Sequence, residues 1–245
     1  SHFLFSQTNN PWNKKAAFAG GVSEKAVAFV CGDFGYSGLG TDNAVFRKDF
    51  WKYSFEADKW VKAEDFPGKP RISAVAFSIS GKGYIGTGLV GVENTRQGTN
   101  DFWEYDPAKD SWSQKASLPG GIRYGAIGFA IGSRGYVTLG SNQTTFYNDL
   151  WEYNPGTNQW VKKADFPENG RADASVFIIE NEAYIAFGQG KELFVSKKNS
   201  WKYSPLKNEW KMFAEFPDFP RTGVMTFSFR NKGYAVGGTN GTTKR

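Results

Sequence analysis

The segment FWKYSFEADKW, residues 50–60, recurs three more times along this chain and decides how the chain folds. The other copies are FWEYDPAKDSW (102–112), LWEYNPGTNQW (150–160) and SWKYSPLKNEW (200–210). In each copy a second tryptophan follows the first by nine residues, and a tyrosine stands two residues after the first. Residues two apart share one face of a strand, and Pro, Asn and Asp favour turns. Each copy therefore predicts a hairpin made of a strand, a tight turn and a second strand.

The same two positions account for all nine tryptophans of the chain. Eight of them form four pairs, and Trp12 lies nine residues after Phe3, which takes the place of a first tryptophan. Aromatic side chains that recur at a regular interval serve packing more often than chemistry. We therefore predict that the tryptophans are structural core residues: Trp12, Trp51, Trp60, Trp103, Trp112, Trp151, Trp160, Trp201 and Trp210.

A second kind of segment alternates with the tryptophan segments. Its copies are AVAFVCGDFGYSGLG (26–40), AVAFSISGKGYIGTG (74–88), AIGFAIGSRGYVTLG (126–140), residues 174–188 and VMTFSFRNKGYAVGG (224–238). An apolar strand, a short turn that contains glycine and another strand predict a hairpin. The two hairpins together form a repeat of four strands and about 50 residues.

This repeat resembles the kelch family. The resemblance rests on a strand that ends in Gly237-Gly238, on Asn-Asp before Phe-Trp or Leu-Trp, and on the second tryptophan of each pair. It is most similar to the kelch, or galactose oxidase-like, repeats of exported bacterial proteins, and it covers essentially the whole chain. The resemblance implies an all-β fold, a kelch-type β-propeller. It says less about function, because propellers carry many unrelated activities.

The chain starts and stops out of phase with the repeat, and we expect the two ends to complete one blade together. We predict a single domain, residues 1–245, with five four-stranded blades. Strands from both termini would close the last blade and protect the joint of the ring. The expected blades are 22–69, 70–121, 122–170, 171–220 and a composite of 221–245 with 1–21. Kelch rings more often have six or seven blades, which leaves open that the chain is part of a longer protein.

The charge and the apolar residues exclude some classes of partner. The net charge is +6, and the lysines are scattered, so no basic stripe predicts nucleic-acid binding. No apolar run approaches the roughly 18 residues of a membrane helix, so the chain is not expected to span a membrane. Cys31 is the only cysteine, which excludes an intrachain disulfide. From the resemblance we expect an exported protein in the periplasm or on the surface of a bacterium, and a cytoplasmic location stays open.

Binding residues are expected on the face that carries the long loops, 41–48, 89–100, 141–148 and 189–198. Four arginines on this face each stand six residues before the marker phenylalanine of a blade: Arg71, Arg123, Arg171 and Arg221. Ser23 holds this place in the first blade. The resemblance to kelch propellers that bind acidic peptides implies that such arginines contact carboxylates, for which a guanidinium fork is suited. In the alternative interpretation, the recurring residues Asp49, Asp101, Asp149 and Asn199 hold the arginines in place.

Loop residues that break the repeat are the second group of candidates. They are Glu93, Arg96, Phe146, Tyr147, Lys191, Glu192 and Phe194. Of these we expect ligand binding by Glu93, Arg96, Tyr147, Lys191 and Glu192. Phe46 and Phe146 both stand five residues before a tryptophan, so packing explains them equally well.

Catalysis is the less favoured class of function. A copper oxidase site needs two histidines and a tyrosine crosslinked to cysteine, but His2 is the only histidine and Cys31 lies in an apolar strand. We therefore expect no metal, no cofactor and no catalytic residue. The favoured function is binding of a protein or glycan ligand, with an acidic ligand suited to the arginines, as part of a larger surface or exported assembly. The alternative is a sugar-acid-modifying enzyme similar to kelch proteins of the sialic-acid epimerase type, with Glu93, Glu192 or a loop tyrosine as acid or base.

Overall fold

The computed structural model describes residues 13–42, 45–191 and 196–240, and for Glu93 the backbone only. The described chain is an all-β propeller built from antiparallel four-stranded sheets, as the repeat predicts. Within these residues no helix is long and apolar enough to cross a membrane. Trp12, Glu192, Phe194 and residues 1–12 and 241–245 of the predicted composite blade lie outside the described residues.

Four complete blades follow one another along the chain, and each sheet keeps the order of the chain. The first blade contains β1 (Val27–Cys31), β2 (Phe34–Gly38), β3 (Phe50–Ser54) and β4 (Lys59–Ala63). The second contains β6 (Val75–Ile79), β7 (Lys82–Gly86), β10 (Phe102–Asp106) and β11 (Ser111–Lys115). The third contains β12 (Ile127–Ile131), β13 (Arg134–Thr138), β14 (Leu150–Asn154) and β15 (Gln159–Lys162). The fourth contains β17 (Ser175–Ile179), β18 (Glu182–Ala186), β20 (Asn199–Ser204) and β21 (Glu209–Glu215).

The remaining elements are short. A fifth hairpin consists of β22 (Met225–Phe229) and β23 (Lys232–Val236). Between the blades lie two small sheets, one made of β5 (Arg71–Ile72), β8 (Leu89–Val90) and β9 (Gln97–Gly98), the other of β16 (Arg171–Ala172) and β19 (Gln189–Gly190). One turn of 3-10 helix spans Glu93–Thr95. These small sheets tie the long loops of the second and fourth blades to the linkers that enter those same blades.

The turn of each tryptophan hairpin links neighbouring blades. It contains an Asp or Asn with positive φ, as at Asp58 (48°) and Asp110 (45°), a conformation that these residues tolerate. The Asp110 carboxylate accepts hydrogen bonds from the Tyr105 hydroxyl (2.5 Å) and from the backbone N–H of Glu64 (3.0 Å). In return Trp112 Nε1 donates to the Glu64 carbonyl (3.0 Å). Every complete blade repeats this exchange with the chain that precedes it, so the second tryptophan of each pair holds two blades together.

Phenylalanines on the first strands pack against glycines of the next blade. Phe29 lies over Gly83, Phe77 over Gly135, and Phe177 over Gly233. A β-carbon at Gly135 would lie 2.5 Å from the Phe77 ring, closer than atoms can approach. Glycine at this position therefore allows a close approach of the blades, and it explains why the apolar hairpins carry glycine inside the second strand.

A series of four backbone hydrogen bonds, here called the collar, joins the linkers just before the first strands. The N–H of Ser73 donates to the Lys25 carbonyl (3.3 Å), and the N–H of Gly125 donates to Ser73 (3.0 Å). Asp173 N–H donates to Gly125 (2.9 Å), and Gly223 N–H donates to Asp173 (3.4 Å). All five residues have positive φ, between 52° and 64°. Each of the four seams within the described residues thus has the same backbone bond.

The fifth hairpin leaves an apolar surface uncovered by the described residues. Phe227 is 48% exposed, whereas its counterpart Phe77 is 6% exposed, and Met225 is 71% exposed. Gly35 of the first blade would receive Phe227 if the ring closed at five blades, but the nearest side chains to Gly35 are Phe55 and Tyr53 of its own blade. The five-blade ring with strands from both termini therefore stays a prediction.

Burial of acidic groups makes the folded chain sensitive to alkali. Burial raises the pKa of the Cys31 thiol from 9.0 to about 11, and burial together with the charges of Cys31 and Asp110 raises that of Tyr36 from 10.0 to about 12. Since folding favours the neutral forms, their contribution to stability is complete below pH 9 and is lost as the pH rises towards 12. We expect the urea midpoint to fall between pH 8 and pH 10.5, with a smaller fall in Cys31→Ala. An equal fall in this variant would show that the thiol does not contribute.

Candidate functional site

The long loops and the linkers between blades meet on one face of the propeller, as the sequence predicts. Because neighbouring strands are antiparallel, the connections after the second and the fourth strand of a blade lie at the same end of the sheet. Bridges between Thr41 and Phe46 and between Ser141 and Phe146 narrow two of these loops. We call this surface the long-loop face, and the predicted arginines stand at its inner edge.

Arg71 is fully buried and its guanidinium is used by the protein itself. Its two terminal nitrogens donate to the carboxylate of Asp101 at 2.6 and 2.7 Å, and one of them also donates to the Thr87 carbonyl (2.9 Å). Burial by itself raises the pKa of Asp101. The hydrogen bonds and charge of Arg71, together with hydrogen bonds from Trp103 and Thr99, lower this pKa by more than burial raises it. The net pKa lies below its usual value, and the carboxylate stays ionised. This is a bidentate ion pair that orders the loop.

Arg123 makes the same set of contacts in the third blade. Its fork donates to Asp149 at 2.6 and 2.8 Å, and a terminal nitrogen donates to the Leu139 carbonyl (3.0 Å). The ring of Tyr147 covers the guanidinium, with the ring centre 3.9 Å from the central carbon. The Tyr147 hydroxyl accepts a hydrogen bond from Asn142 (2.7 Å). Tyr147 therefore holds Arg123 in place, and its own hydroxyl is engaged within the loop.

The fourth blade replaces the aspartate. Asn199 stands where Asp101 and Asp149 stand, and the carboxylate comes instead from Glu168, three residues before Arg171. Glu168 accepts hydrogen bonds from Arg171 and Asn199 and, at 3.0 Å, from Trp201 Nε1. The Nε of Arg171 is buried and has no hydrogen-bond partner among the described residues, whereas the Nε of Arg71 donates to the Lys69 carbonyl (3.0 Å).

The fifth hairpin has the same arrangement of arginine and acid as the fourth blade. Arg221 pairs with Asp218, again three residues earlier, and donates to the Gly237 carbonyl (3.2 Å). In the second and third blades the same position is Gly68 or Gly120. A β-carbon at Gly120 would lie 2.3 Å from an Arg123 terminal nitrogen and 2.3 Å from Asp149 Oδ2, because the aspartate already occupies the space beside the guanidinium. The chain thus has two alternative ways to neutralise the arginine, and each of the four arginines is neutralised by one of them.

In the first blade, which lacks the linker arginine, an arginine from the long loop pairs with the aspartate instead. Ser23 donates to the Leu39 carbonyl (3.1 Å) and carries no charge. Arg47, from the long loop, donates to both oxygens of Asp49 at 2.9 and 3.0 Å. Sequence comparison of the linkers alone missed this residue, although it stands four residues before Trp51, where the other blades have Thr99, Tyr147 and Lys197.

The geometry favours the structural interpretation for Arg71, Arg123 and Arg171, whose side chains are 0% exposed. Arg221 is 13% exposed and pairs with Asp218. Whether any of the four contacts a ligand stays a prediction. A ligand carboxylate would have to displace an existing carboxylate to use the same guanidinium fork.

The other predicted residues are dispersed over the long-loop face. Arg96 is exposed, with its guanidinium 5.2 Å from the ring centre of Phe46, and its carbonyl accepts a hydrogen bond from Gln143 (2.8 Å). Glu93 lies in the 3-10 turn. Lys191 lines both of the cavities described next, and Arg96 and Tyr147 line neither of those two.

A cleft of about 810 Å³ lies on the long-loop face between the fourth blade and the linker to the fifth hairpin. A smaller cavity of about 390 Å³ adjoins it and shares Asn169, Gly170 and Lys191. The charged and aromatic residues of the cleft are Glu168, Lys191, Lys197, Lys198, Glu215, Asp218 and Phe219. Apart from Lys191, the sequence did not single these out. The available signal was the change from glycine to an acid three residues before the arginine.

The fold and this face define the class of the protein, a propeller whose four-stranded repeats are kelch-like. No protein-family model matches the chain. The solved structure of YjhT resembles it with a TM-score of 0.78 and 22% identity, over 88% of this chain and 72% of YjhT. At this identity the likeness shows the fold.

Curated relatives share part of the sequence. An N-acetylneuraminate epimerase of Yersinia enterocolitica is 32% identical over 102 residues, which are 38% of this chain and 26% of the relative. The enzyme of the same name from Pasteurella multocida is 30% identical over 125 residues, 50% of this chain and 32% of the relative. The enzyme of this name from Haemophilus influenzae is 30% identical over 123 residues, which are 48% of this chain and 31% of the relative. The matches thus span at most about a third of the relatives' length.

Proposed function

We propose that this chain binds an acidic sugar of the N-acetylneuraminate type in the cleft of the long-loop face. The observation that carries the proposal is the combination of lysines and a partly exposed aromatic ring in one cleft. Lys191 and Lys197 come from the two ends of one long loop, and Phe219 is 56% exposed. The volume of about 810 Å³ lies within the range of about 300–1,000 Å³ that is typical of small-molecule sites.

The lysines take the role that the sequence assigned to the arginines. An ammonium group on a flexible stem attracts a carboxylate as a point charge, and it needs no fixed fork. Lys198 already pairs with Glu215 at 2.8 Å, which leaves Lys191 and Lys197 as the proposed partners of the ligand carboxylate. The ring of Phe219 offers an apolar surface for the carbon skeleton of a sugar.

The relatives support the class of ligand, because three of them carry the name N-acetylneuraminate epimerase. The same names support catalysis as a second candidate function. One feature of the chain agrees with it, since Glu192 follows Lys191 directly in the loop whose two ends line the cleft. Glutamate is a residue type that can act as a general base or acid.

The test is a calorimetric titration of the whole chain with N-acetylneuraminate. We expect binding by the wild type and a loss of at least tenfold in affinity in the double variant Lys191→Ala/Lys197→Ala. Lys207→Ala is the matched control, since this exposed lysine lies in the turn of a tryptophan hairpin, at the opposite end of the sheet. No binding by the wild type, or equal binding by the lysine variant, would overturn the proposal.

A proton NMR experiment separates binding from catalysis. N-acetylneuraminate enriched in one epimer is followed with and without a catalytic amount of the chain. Faster interconversion with the wild type, lost in Glu192→Gln, would establish the enzyme. Binding without acceleration would establish the non-catalytic module.

A further inference from the structure

We infer that Glu168 and Asp218 recognise hydroxyl groups of the ligand, so that the cleft selects an acidic sugar over a simple carboxylate or an acidic peptide. This inference rests on the proposed function and names the residues that would make it specific. Both carboxylates line the cleft. Two further observations support this role: the position of these acids in the repeat, and the hydrogen bonds that hold them.

The repeat shows that the position of these acids has changed. In the second and third blades the acid that neutralises the arginine is Asp101 or Asp149, and the position three residues before the arginine is glycine. In the fourth and fifth blades the acid stands at that earlier position, as Glu168 and Asp218. Neutralising the arginine does not require this change, since the arrangement of the second and third blades achieves it. The result of the change is that two carboxylates face one cleft.

Contacts with the protein hold Glu168 and leave acceptor capacity. Oε1 accepts hydrogen bonds from Asn199 and from Trp201, and Oε2 accepts one from Arg171. A carboxylate offers about four acceptor positions, so three described bonds leave room for one more donor. The side chain is 28% exposed, against 15% for Asp149 and 21% for Asp101. Asp218, held by Arg221, is 35% exposed.

A carboxylate held in this way suits a hydroxyl donor. It is fixed before the ligand arrives, so binding a sugar O–H needs little further ordering of the side chain. It repels a ligand carboxylate, which is therefore directed to Lys191 and Lys197. The ligand that satisfies both requirements carries one anionic group and several hydroxyl groups. An acidic peptide or a dicarboxylate would meet two unfavourable charges.

The experiment uses a double variant that the chain itself suggests. Glu168→Gly combined with Asn199→Asp copies Gly120 and Asp149 of the third blade, so Arg171 keeps a carboxylate partner while the cleft loses Glu168. Asp218→Asn is tested separately, and Glu209→Gln, an exposed acid of a tryptophan hairpin paired with lysines, is the control. Melting temperatures confirm that each variant is folded.

Three probes are titrated into each protein by calorimetry: N-acetylneuraminate, pyruvate and a peptide of four glutamates. We expect the wild type to prefer N-acetylneuraminate, and the double variant and Asp218→Asn each to lose at least tenfold in affinity for it. Pyruvate affinity should not fall in either variant, and the control should match the wild type. Unchanged sugar affinity in folded variants overturns this inference and leaves the proposed function intact. A wild type that binds only the peptide, or none of the probes, overturns both.

Discussion

Replacing Arg123 with alanine lowers the free energy of unfolding by about 3–5 kcal/mol. The substitution leaves Asp149 with a charge in a largely buried site and removes the donor of the Leu139 carbonyl. It also removes the surface on which Tyr147 rests. Urea denaturation followed by tryptophan fluorescence measures the change.

Arg134→Ala is the matched control for Arg123→Ala. Arg134 is 38% exposed and lies 3.8 Å from Glu152, and we expect a change of about 0–1 kcal/mol for such a surface pair. Equal effects of the two substitutions would show that the buried ion pair does not stabilise the blade. An intact Arg123→Ala protein that loses only ligand binding would support the ligand interpretation of the arginines.

Phe77→Ala costs about 3–5 kcal/mol by leaving a cavity between the second and third blades. Phe77 is 6% exposed and its ring faces Gly135, so the loss falls on the seam between two blades. Gly135→Ala alone should cost about 1–3 kcal/mol, because its methyl group would lie 2.5 Å from the ring. Both free energies come from denaturation in urea.

The double variant Phe77→Ala/Gly135→Ala tests whether the two residues act on the same space. In it the alanine methyl fills part of the cavity, so the total cost should be smaller than the sum of the two single costs. Val161→Ala, at a 53% exposed position, should change stability by less than about 0.5 kcal/mol. Strictly additive costs would mean that ring and glycine are not in contact.

The sequence predicts the hairpins well because their spacing reports local structure. Trp51 and Trp60 stand at a fixed distance on either side of one turn, and the pairing of Tyr53 with Trp60 follows directly. The long-loop face follows as well, since antiparallel strands place alternate connections at the same end. For Arg71 the repeat allowed two interpretations, contact with a ligand or pairing with Asp101. Burial of the guanidinium favours the pairing, and burial depends on the tertiary structure, which the repeat does not report.

The cleft could not be predicted from the sequence, because its residues come together only in the tertiary structure. Glu168 and Asp218 stand 50 residues apart in neighbouring repeats, and only the fold brings them to one cavity. Taken singly, each resembles an ordinary surface acid. Only comparison with Gly68 and Gly120, which stand at the same position three residues before the arginine, shows that the residue type has changed. The change at this position was readable in the aligned repeats, but its meaning depended on knowing that the arginine is buried.

The collar described above bears on how propellers of different size can arise. All four described seams use the same backbone bond between residues of positive φ, and it requires no particular side chain, since Lys25, Ser73, Gly125, Asp173 and Gly223 all serve. A duplicated or deleted repeat would meet its new neighbours with the same set of donors and acceptors. Gain or loss of a whole blade is therefore a change that this architecture tolerates chemically, because the backbone contacts between blades do not depend on which repeats are neighbours.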